Sequence, residues 1–153
     1  MPKCKVEVPG EGPRRAAVML IGEAPGKEEV IAKKPFVGRA GRFLMKTLSK
    51  FGIDRKKIYI TNVVKFRPTR TINGKVKDRA PKSQEIKACL PLLRKEIKLI
   101  KPKVICLLGK TAQRALAELD LPKIETYHPA AAMRDKKKRA FFEKELKKIT
   151  KFI

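Results

Sequence analysis

Four short apolar runs, separated by helical patterns, constrain the fold of this chain more than any other feature. Residues 16–21 form a continuous apolar stretch that ends at Gly22, as expected for a strand buried on both faces. Residues 58–64 and 104–108 are also rich in β-branched or aliphatic side chains, and residues 123–127 form a weaker fourth run. These runs predict four strands.

Helical periodicities lie between the runs. Leu44, Leu48 and Phe51 recur at helical spacing, and a longer stripe begins at Ser83, a predicted N-cap. Pro91 is expected to kink or split this longer helix. Two further helices are predicted at residues 111–119 and 142–153. The alternation predicts an α/β fold, namely a three-layer α/β/α sandwich with a central four-stranded parallel sheet, in a single domain over residues 1–153.

Polar and glycine-rich segments follow each predicted strand. Ligands of open parallel sheets bind beyond the carboxyl ends of the strands, so these segments are the first candidates for a site. They are residues 22–26, residues 61–65, residues 109–111 and residues 128–129. Residues 109–111 read Gly-Lys-Thr, but a strand precedes them, so they do not form a phosphate-binding P-loop.

Each polar residue at these ends also has an ordinary structural explanation. His128 is the only histidine, and a lone histidine is more often packed or solvated than catalytic. Asn62 at a strand end often satisfies neighbouring backbone groups, and Glu28 and Glu29 resemble a solvated pair at a helix start. Their common placement on one sheet edge favours a functional site.

The net charge points to a polyanionic partner. Lysine and arginine number 39 against 15 acidic residues in 153, which gives a formal net charge of +24. A lysine-rich thermophile surface is the alternative, but such surfaces usually carry comparable glutamate. DNA or another nucleic acid is therefore the expected partner. No apolar run approaches the ~20 residues of a membrane span, and the first four residues open no signal peptide, so we expect a cytoplasmic protein with no membrane partner.

Two basic stretches lie near the same predicted edge. Residues 65–82 hold seven cations and one acid among prolines and glycine, which predicts a long cationic loop. Residues 134–139 form a second cationic rim after His128. Solvated charge is the alternative for each stretch, whereas their proximity favours contact with DNA phosphates.

The three cysteines predict neither a disulfide framework nor a complete zinc site. Cys4, Cys89 and Cys106 are an odd number and contain no CxxC pair. Cys106 lies in an apolar strand and is expected to be a buried structural thiol.

Read together, the segments resemble the uracil-DNA glycosylase superfamily, most closely its family 4. The resemblance spans about residues 8–134. It is carried by VPGEG (8–12), IGEAPG (21–26), KPFVGRAG (34–41), YITNVVK (59–65), RP (67–68), KPKVI (101–105), LG (108–109) and HPA (128–130).

The resemblance implies a monofunctional DNA glycosylase that releases uracil from deoxyuridine and leaves an abasic site for base-excision repair. Glu29 and His128 would be catalytic together with Glu23. Uracil would be bound by a larger set, comprising Gly22, Glu23, Ala24, Phe36, Asn62 and His128. DNA would be bound by Lys65, Arg67, Arg70 and Arg134, the last in the position of an intercalating segment.

The resemblance also raises the question of whether this chain has the ligands for the family's cofactor. Family 4 carries a [4Fe-4S] cluster, and only Cys89 matches a ligand position, because Phe66 replaces a second ligand cysteine and the N-terminal CxxC is incomplete. We therefore expect no cluster, no other metal and no cofactor. We also expect a monomer. Two alternatives stay open, a glycosylase for hypoxanthine or xanthine and a non-catalytic uracil- or DNA-binding relative.

Overall fold

A parallel sheet of four strands forms the centre of the molecule. The structure, a computed structural model, describes residues 3–153. Met1 and Pro2, on which the expectation of no signal peptide partly rests, lie outside the described residues. The strands are β1 (Val18–Gly22), β2 (Tyr59–Asn62), β5 (Val104–Leu108) and β6 (Lys123–Thr126). Their spatial order is β2-β1-β5-β6, and all three pairings are parallel. The α/β/α sandwich predicted from the sequence is confirmed.

Within the described residues, six α-helices connect and cover the strands. They are α1 (Lys27–Ala32), α2 (Arg39–Lys50), α3 (Ser83–Ile100), α4 (Lys110–Ala115), α5 (Pro129–Arg134) and α6 (Lys136–Lys147). Pro91 does not split α3, which runs without interruption. The helix begins at Ser83 as expected, but Lys82 is the capping position, where its backbone N–H donates to Glu85 Oε1 at 2.8 Å.

Alternating side chains of the strands build two separate apolar layers. On β1, Val18 and Leu20 pack on one face of the sheet, and Met19 and Ile21 pack on the other. The first layer includes side chains of α2 and α6, and the second includes those of α3. All five residues of β1 are buried. This is why β1 reads as a continuous apolar run and why its carboxyl end is rigidly placed.

The stretch expected to be a long cationic loop contains a β-hairpin. β3 (Thr69–Ile72) and β4 (Lys75–Asp78) pair antiparallel around an Asn73-Gly74 turn. Both turn residues have positive φ, the combination that favours a tight hairpin. The prediction of a loop was wrong because the charged strands lack an apolar alternation.

A disulfide bond corrects the expectation that the cysteines form no such link. Cys4 and Cys89 are bonded, with their Cα atoms 4.8 Å apart, and the bond ties the N-terminal segment to α3. Cys106 is a buried free thiol on β5, as expected, and burial raises its pKa. The pairing was missed because 85 positions separate its two members and no short spacing signals it.

Candidate active site

A cavity of about 260 Å³ lies at the carboxyl ends of the central strands. Six of the sequence-predicted site residues line it: Glu23, Ala24, Glu29, Phe36, Asn62 and His128. They come from the loop after β1, helix α1, the segment before α2, the end of β2 and the start of α5. The parallel topology brings these distant segments to one edge of the sheet, as the strand-end argument predicts.

Gly22 allows the base of the cavity to close tightly. A Cβ atom at this position would lie 2.4 Å from Phe36 Cζ and 2.6 Å from Asn62 Oδ1. Any side chain at position 22 would therefore displace the phenyl ring or the amide. Gly22 contributes by permitting this approach, and its carbonyl accepts the backbone N–H of Val63 at 2.9 Å.

Phe36 is held in an unusual backbone conformation. Its φ is +52°, a region that bulky residues rarely occupy. Arg55 donates to the carbonyls of Pro35 and Phe36, the latter at 2.9 Å. A Cβ at Gly41 would lie 2.1 Å from the Phe36 carbonyl carbon, so only glycine lets α2 pack so closely. These contacts fix the ring, and its centroid lies 5.9 Å from that of His128.

Asn62 supplies a buried acceptor with no partner. The residue is 3% exposed, and its Oδ1 makes no hydrogen bond in the described protein. Leaving such an atom unpaired costs about 1–3 kcal/mol. Because Asn62 lines the cavity, a ligand N–H placed there would satisfy Oδ1.

His128 is oriented by its own helix terminus. It is the N-cap of α5, and its Nδ1 accepts the backbone N–H of Ala130 at 3.1 Å. An acceptor at Nδ1 must be unprotonated, so the proton of the neutral ring sits on Nε2. Burial lowers the pKa of His128, while Glu23 and Glu29 oppose this shift. The site therefore contains a neutral imidazole with one N–H to donate.

Glu23 connects the loop after β1 to α4. Thr111 Oγ1 donates to Glu23 Oε2, and the carbonyl of Glu23 accepts the N–H of Val64 at 3.0 Å. The carboxylate thus borders the cavity near His128 with a fixed direction. Thr111 positions this carboxylate; residues 109–111 are among the strand-end candidates predicted from the sequence, but no role was predicted for Thr111.

Glu29 joins the two loops that form one wall of the cavity. Its Oε1 accepts the N–H of Gly26 at 3.1 Å, and its Oε2 accepts those of Val37 and Gly38 at 2.8 and 2.6 Å. Both oxygens therefore already have backbone donors. The remaining lone pairs on the cavity side are available to a water molecule.

Lys65 does not lie where DNA could reach it. The residue is 3% exposed, and its ammonium donates to Glu96, to Thr61 Oγ1 and to the carbonyl of Asn62, the last at 2.7 Å. Tyr59 donates to the same Glu96 carboxylate at 2.7 Å. Desolvation lowers the pKa of Lys65, against the attraction of Glu96. The expectation that Lys65 contacts DNA is corrected: it supports the end of β2 from within.

The other three predicted DNA-binding residues lie at the surface to different degrees. Arg70 is exposed on β3, and Arg134 is exposed at the end of α5. Arg67 is partly buried and pairs with Asp78 at 2.5 Å.

The base of the hairpin forms a cavity wall that sequence reasoning missed. Pro68, Asp78 and Arg79 line the cavity, and Arg79 pairs with Glu85 through two hydrogen bonds of 2.6 and 3.0 Å. This pairing lowers the pKa of Glu85 to about 2. The only available signal was the cluster of cations in residues 65–82, which gave no hint of the hairpin geometry.

Comparison with known proteins identifies the scaffold. The model of the uracil DNA glycosylase superfamily matches residues 9–150. This chain belongs to the uracil-DNA glycosylase superfamily. Among its similar proteins is a type-4 uracil-DNA glycosylase of Pyrobaculum aerophilum, 39% identical over 93% of this chain and 81% of that protein. Proteins of the same description from Saccharolobus solfataricus and Archaeoglobus fulgidus are 35% and 32% identical, over 96% and 93% of this chain and 79% of each relative.

The cysteines do not fit the cluster that the superfamily resemblance implies. Cys4 and Cys89 are bonded to each other and therefore offer no free thiolate. Phe66, at the position of a family ligand cysteine, packs against the same apolar layer as both of them. Cys106 belongs to the layer on the opposite face of the sheet. Within residues 3–153, no group of three or more histidine, cysteine or acidic side chains is arranged to hold a metal ion.

Within the same range, no helix has the length and apolar character required to traverse a lipid bilayer.

Proposed function

We propose that this protein hydrolyses the N-glycosidic bond of deoxyuridine in DNA, releasing uracil and leaving an abasic site. The observation that carries the proposal is that one small cavity is lined by both Asn62 and His128. Asn62 Oδ1 is an acceptor without a partner, and His128 Nε2–H is a donor of fixed direction. An enzyme that acts on a base in DNA must extrude the nucleotide into such a pocket, with an aromatic platform to replace the lost stacking. Phe36 is that platform.

Asn62 reads the Watson–Crick edge of the base. Its Oδ1 accepts from uracil N3–H, and its amide nitrogen donates to O4. Cytosine presents the reverse pattern at this edge, with an acceptor at N3 and an amino group at C4. It would therefore leave two buried groups unpaired, each at a cost of about 1–3 kcal/mol. One rigid amide thus supports discrimination between the two pyrimidines.

His128 stabilises the leaving group. As the glycosidic bond breaks, negative charge develops on uracil O2, and Nε2–H donates to it. A neutral, preorganised donor requires no reorganisation during the reaction, and removal of one such donor typically costs about 10²–10³-fold in rate. The proton stays on the imidazole during bond cleavage, because a neutral ring is a weak acid.

The attacking water is held by Glu29, whose fixed carboxylate accepts one of its protons as the oxygen bonds to the sugar carbon. The hydrogen bond from Thr111 fixes the direction of the Glu23 carboxylate at the edge of the pocket next to His128. The carboxylates also favour the positive charge that builds on the sugar, because both lie on the wall of the same cavity.

DNA is held by exposed cations on the hairpin and at the end of α5. Arg70 on the hairpin and Arg134 at the end of α5 are exposed and can contact the phosphates of single-stranded or double-stranded DNA. Arg67 contributes less directly, because it is paired with Asp78. Lys65 is excluded from this set by its burial.

We further propose that the protein works as a cytoplasmic monomer without an iron–sulfur cluster or other cofactor. The disulfide links the N-terminal segment to α3, where the family-matched ligand Cys89 lies, and supports a covalent replacement for the cluster. Size-exclusion chromatography with light scattering and iron analysis of the purified protein test these two statements.

The reaction is tested with labelled oligonucleotides that differ in one base. Strands containing uracil, hypoxanthine, xanthine or cytosine are incubated with the protein and then treated with alkali, which cleaves abasic sites. Scission at uracil alone supports the proposal. Scission at a purine instead supports the alternative deaminated-base glycosylase, and no scission with retained DNA binding supports the non-catalytic alternative; either result overturns it.

A further inference from the structure

A second, larger groove opens beside the active-site cavity. Its volume is about 930 Å³, and it shares Glu23, His128 and Ala130 with the cavity as lining residues. The groove is lined by the ends of β5 and β6 and by residues of α4, α5 and α6. A strand whose nucleotide occupies the cavity would therefore pass directly into this groove.

The groove holds the two exposed aromatic side chains of residues 3–153. Tyr127 is 39% exposed and Phe141 is 44% exposed, whereas every other aromatic ring in that range is buried or half-buried. Their centroids lie 5.6 Å apart with an interplanar angle of 72°, so the two rings form a corner. Tyr127 directly precedes His128 in the chain, and both residues line the groove, so the corner and the imidazole border the same surface. Exposed aromatic pairs of this kind are apolar surface that a flat ligand can cover.

Positive charge lies on the same groove. Lys138 Nζ sits 5.4 Å from the centre of the Tyr127 ring, and Lys110 also lines the groove. Of the two acids that line the groove, Glu23 is engaged by Thr111, and Glu125 is exposed to solvent on β6. The groove therefore combines stacking surfaces with ammonium groups, which is the combination that proteins use to bind single-stranded nucleic acid.

We propose that this groove binds a nucleobase that neighbours the extruded nucleotide on a single strand, stacked in the corner of Tyr127 and Phe141. Lys138 and Lys110 contact the phosphates on either side of that base. The proposal rests on the proposed function in one respect: the strand is positioned by its extruded nucleotide, which occupies the active-site cavity. It assigns the protein a preference for unpaired DNA around the lesion.

The preference for an unpaired base follows from the geometry of stacking. In a duplex the base next to the extruded nucleotide stays paired and stacked on its other neighbour, so it cannot lie in the corner without further unpairing. In a single strand the base is free to exchange its weak stacking on a neighbour for stacking on a protein ring. Base–aromatic stacking typically changes affinity by about fivefold to a hundredfold per base.

The test separates stacking from charge with two uracil-free ligands. One is a short single-stranded thymidine oligonucleotide, and the other is a propanediol-phosphate chain with the same number of phosphates but no bases. Affinities are measured by fluorescence anisotropy for the wild type, Tyr127→Ala, Phe141→Ala and the matched control Leu99→Ala. Leu99 is exposed on α3 and lines neither the groove nor the cavity.

The wild type and Leu99→Ala are expected to bind the thymidine ligand at least about fivefold more tightly than the base-free chain. Tyr127→Ala and Phe141→Ala should lose this preference while binding the base-free chain normally. The proposal is overturned if the wild type shows no preference, if both groove variants retain it, or if Leu99→Ala loses it equally. Because neither ligand contains uracil, these outcomes are independent of whether uracil is excised.

Discussion

The Nδ1 atom of His128 accepts the backbone N–H of Ala130 at 3.1 Å. This contact fixes which imidazole nitrogen carries the proton, and it makes the first turn of α5 part of the active site. Protonation of Nδ1 would place its N–H against the backbone N–H of Ala130, so that two donors would face each other. The same contact that orients the ring therefore opposes its ionisation, in the same direction as burial.

The titration of His128 is the first prediction. Burial lowers its pKa from the ordinary 6.5, so the ring stays neutral in the folded protein at pH values where a free histidine would ionise. Because the chain has one histidine, its imidazole NMR signals are unambiguous. We expect a midpoint below 6.5 and a proton on Nε2 near neutral pH. A midpoint at or above 6.5 would refute the proposed state of the ring.

Stability should follow the same titration. The folded pKa lies below the unfolded one, so the unfolded chain takes up the extra proton first. The stabilisation from the neutral ring is therefore complete above pH about 6.5 and decreases as the pH falls toward the folded pKa. Thermal melts of the wild type and His128→Asn across this range measure the difference. An equal pH dependence in both proteins would argue against the linkage.

The recognition role of Asn62 is tested by Asn62→Asp. The change replaces the amide donor to uracil O4 with an acceptor and places a carboxylate at a position that is 3% exposed. Turnover on uracil should fall by about 10²-fold or more, or discrimination against cytosine should weaken, because the hydrogen-bond pattern no longer matches uracil. Single-turnover rates on matched uracil and cytosine oligonucleotides measure both effects. Wild-type rates and selectivity would remove Asn62 from the recognition role.

The buried ion pair of Lys65 and Glu96 predicts a loss of stability rather than of DNA affinity. Lys65→Met leaves the Glu96 carboxylate without its ammonium partner, and breaking a buried pair typically costs about 3–5 kcal/mol. Lys98→Met, an exposed lysine on α3, is the matched control and should leave the free energy of unfolding unchanged. Denaturant unfolding and DNA-binding titrations separate the two readouts. A normal unfolding free energy with weaker DNA binding would restore Lys65 as a DNA contact.

Exposed Arg70 and Arg134 should show the opposite behaviour. Each substitution by alanine is expected to weaken DNA binding and to lower the slope of log affinity against log salt by about 0.9 on duplex DNA, the value for one lost phosphate contact. Unfolding free energies should stay at the wild-type value, because both side chains are exposed. An unchanged salt slope for both variants would place the DNA elsewhere.

The disulfide predicts redox-dependent stability without iron. It closes a loop with a sequence separation of 85, and constraining a loop of this size is worth roughly 4.6 kcal/mol in the chain-entropy model. Reductant should lower the melting temperature of the wild type but not that of Cys4→Ser, and uracil excision should persist in both at moderate temperature. Stoichiometric iron in the purified wild type, or a melting temperature insensitive to reductant, would contradict this account.

The strands and the cavity were predictable because they depend on strong, local signals. Residues 16–21 and 104–108 are apolar without interruption, and the parallel topology then placed Glu23, Asn62 and His128 at one edge. Phe36 was identified only through the family resemblance, because its positive φ is held by tertiary contacts with Arg55, 19 positions away, and with Gly41 on α2. Such tertiary support leaves no periodic pattern.

Long-range pairings of charges and thiols could not be predicted from composition. Lys65 was read as a surface cation because lysine is rarely buried, and its partner Glu96 lies 31 positions away on α3. Cys4 and Cys89 met only because the N-terminal segment packs along α3. In both cases the fold determines the partner, and the sequence alone offers many equivalent candidates.

The most direct measurement is mass spectrometry of the base released from a single-stranded oligonucleotide with one deoxyuridine. The account predicts one free uracil per strand from the wild type, with one abasic site left behind. His128→Ala should release it about 10²–10³-fold more slowly while binding the strand with similar affinity. Absence of free uracil from the wild type, or release by His128→Ala at the wild-type rate, would contradict the account.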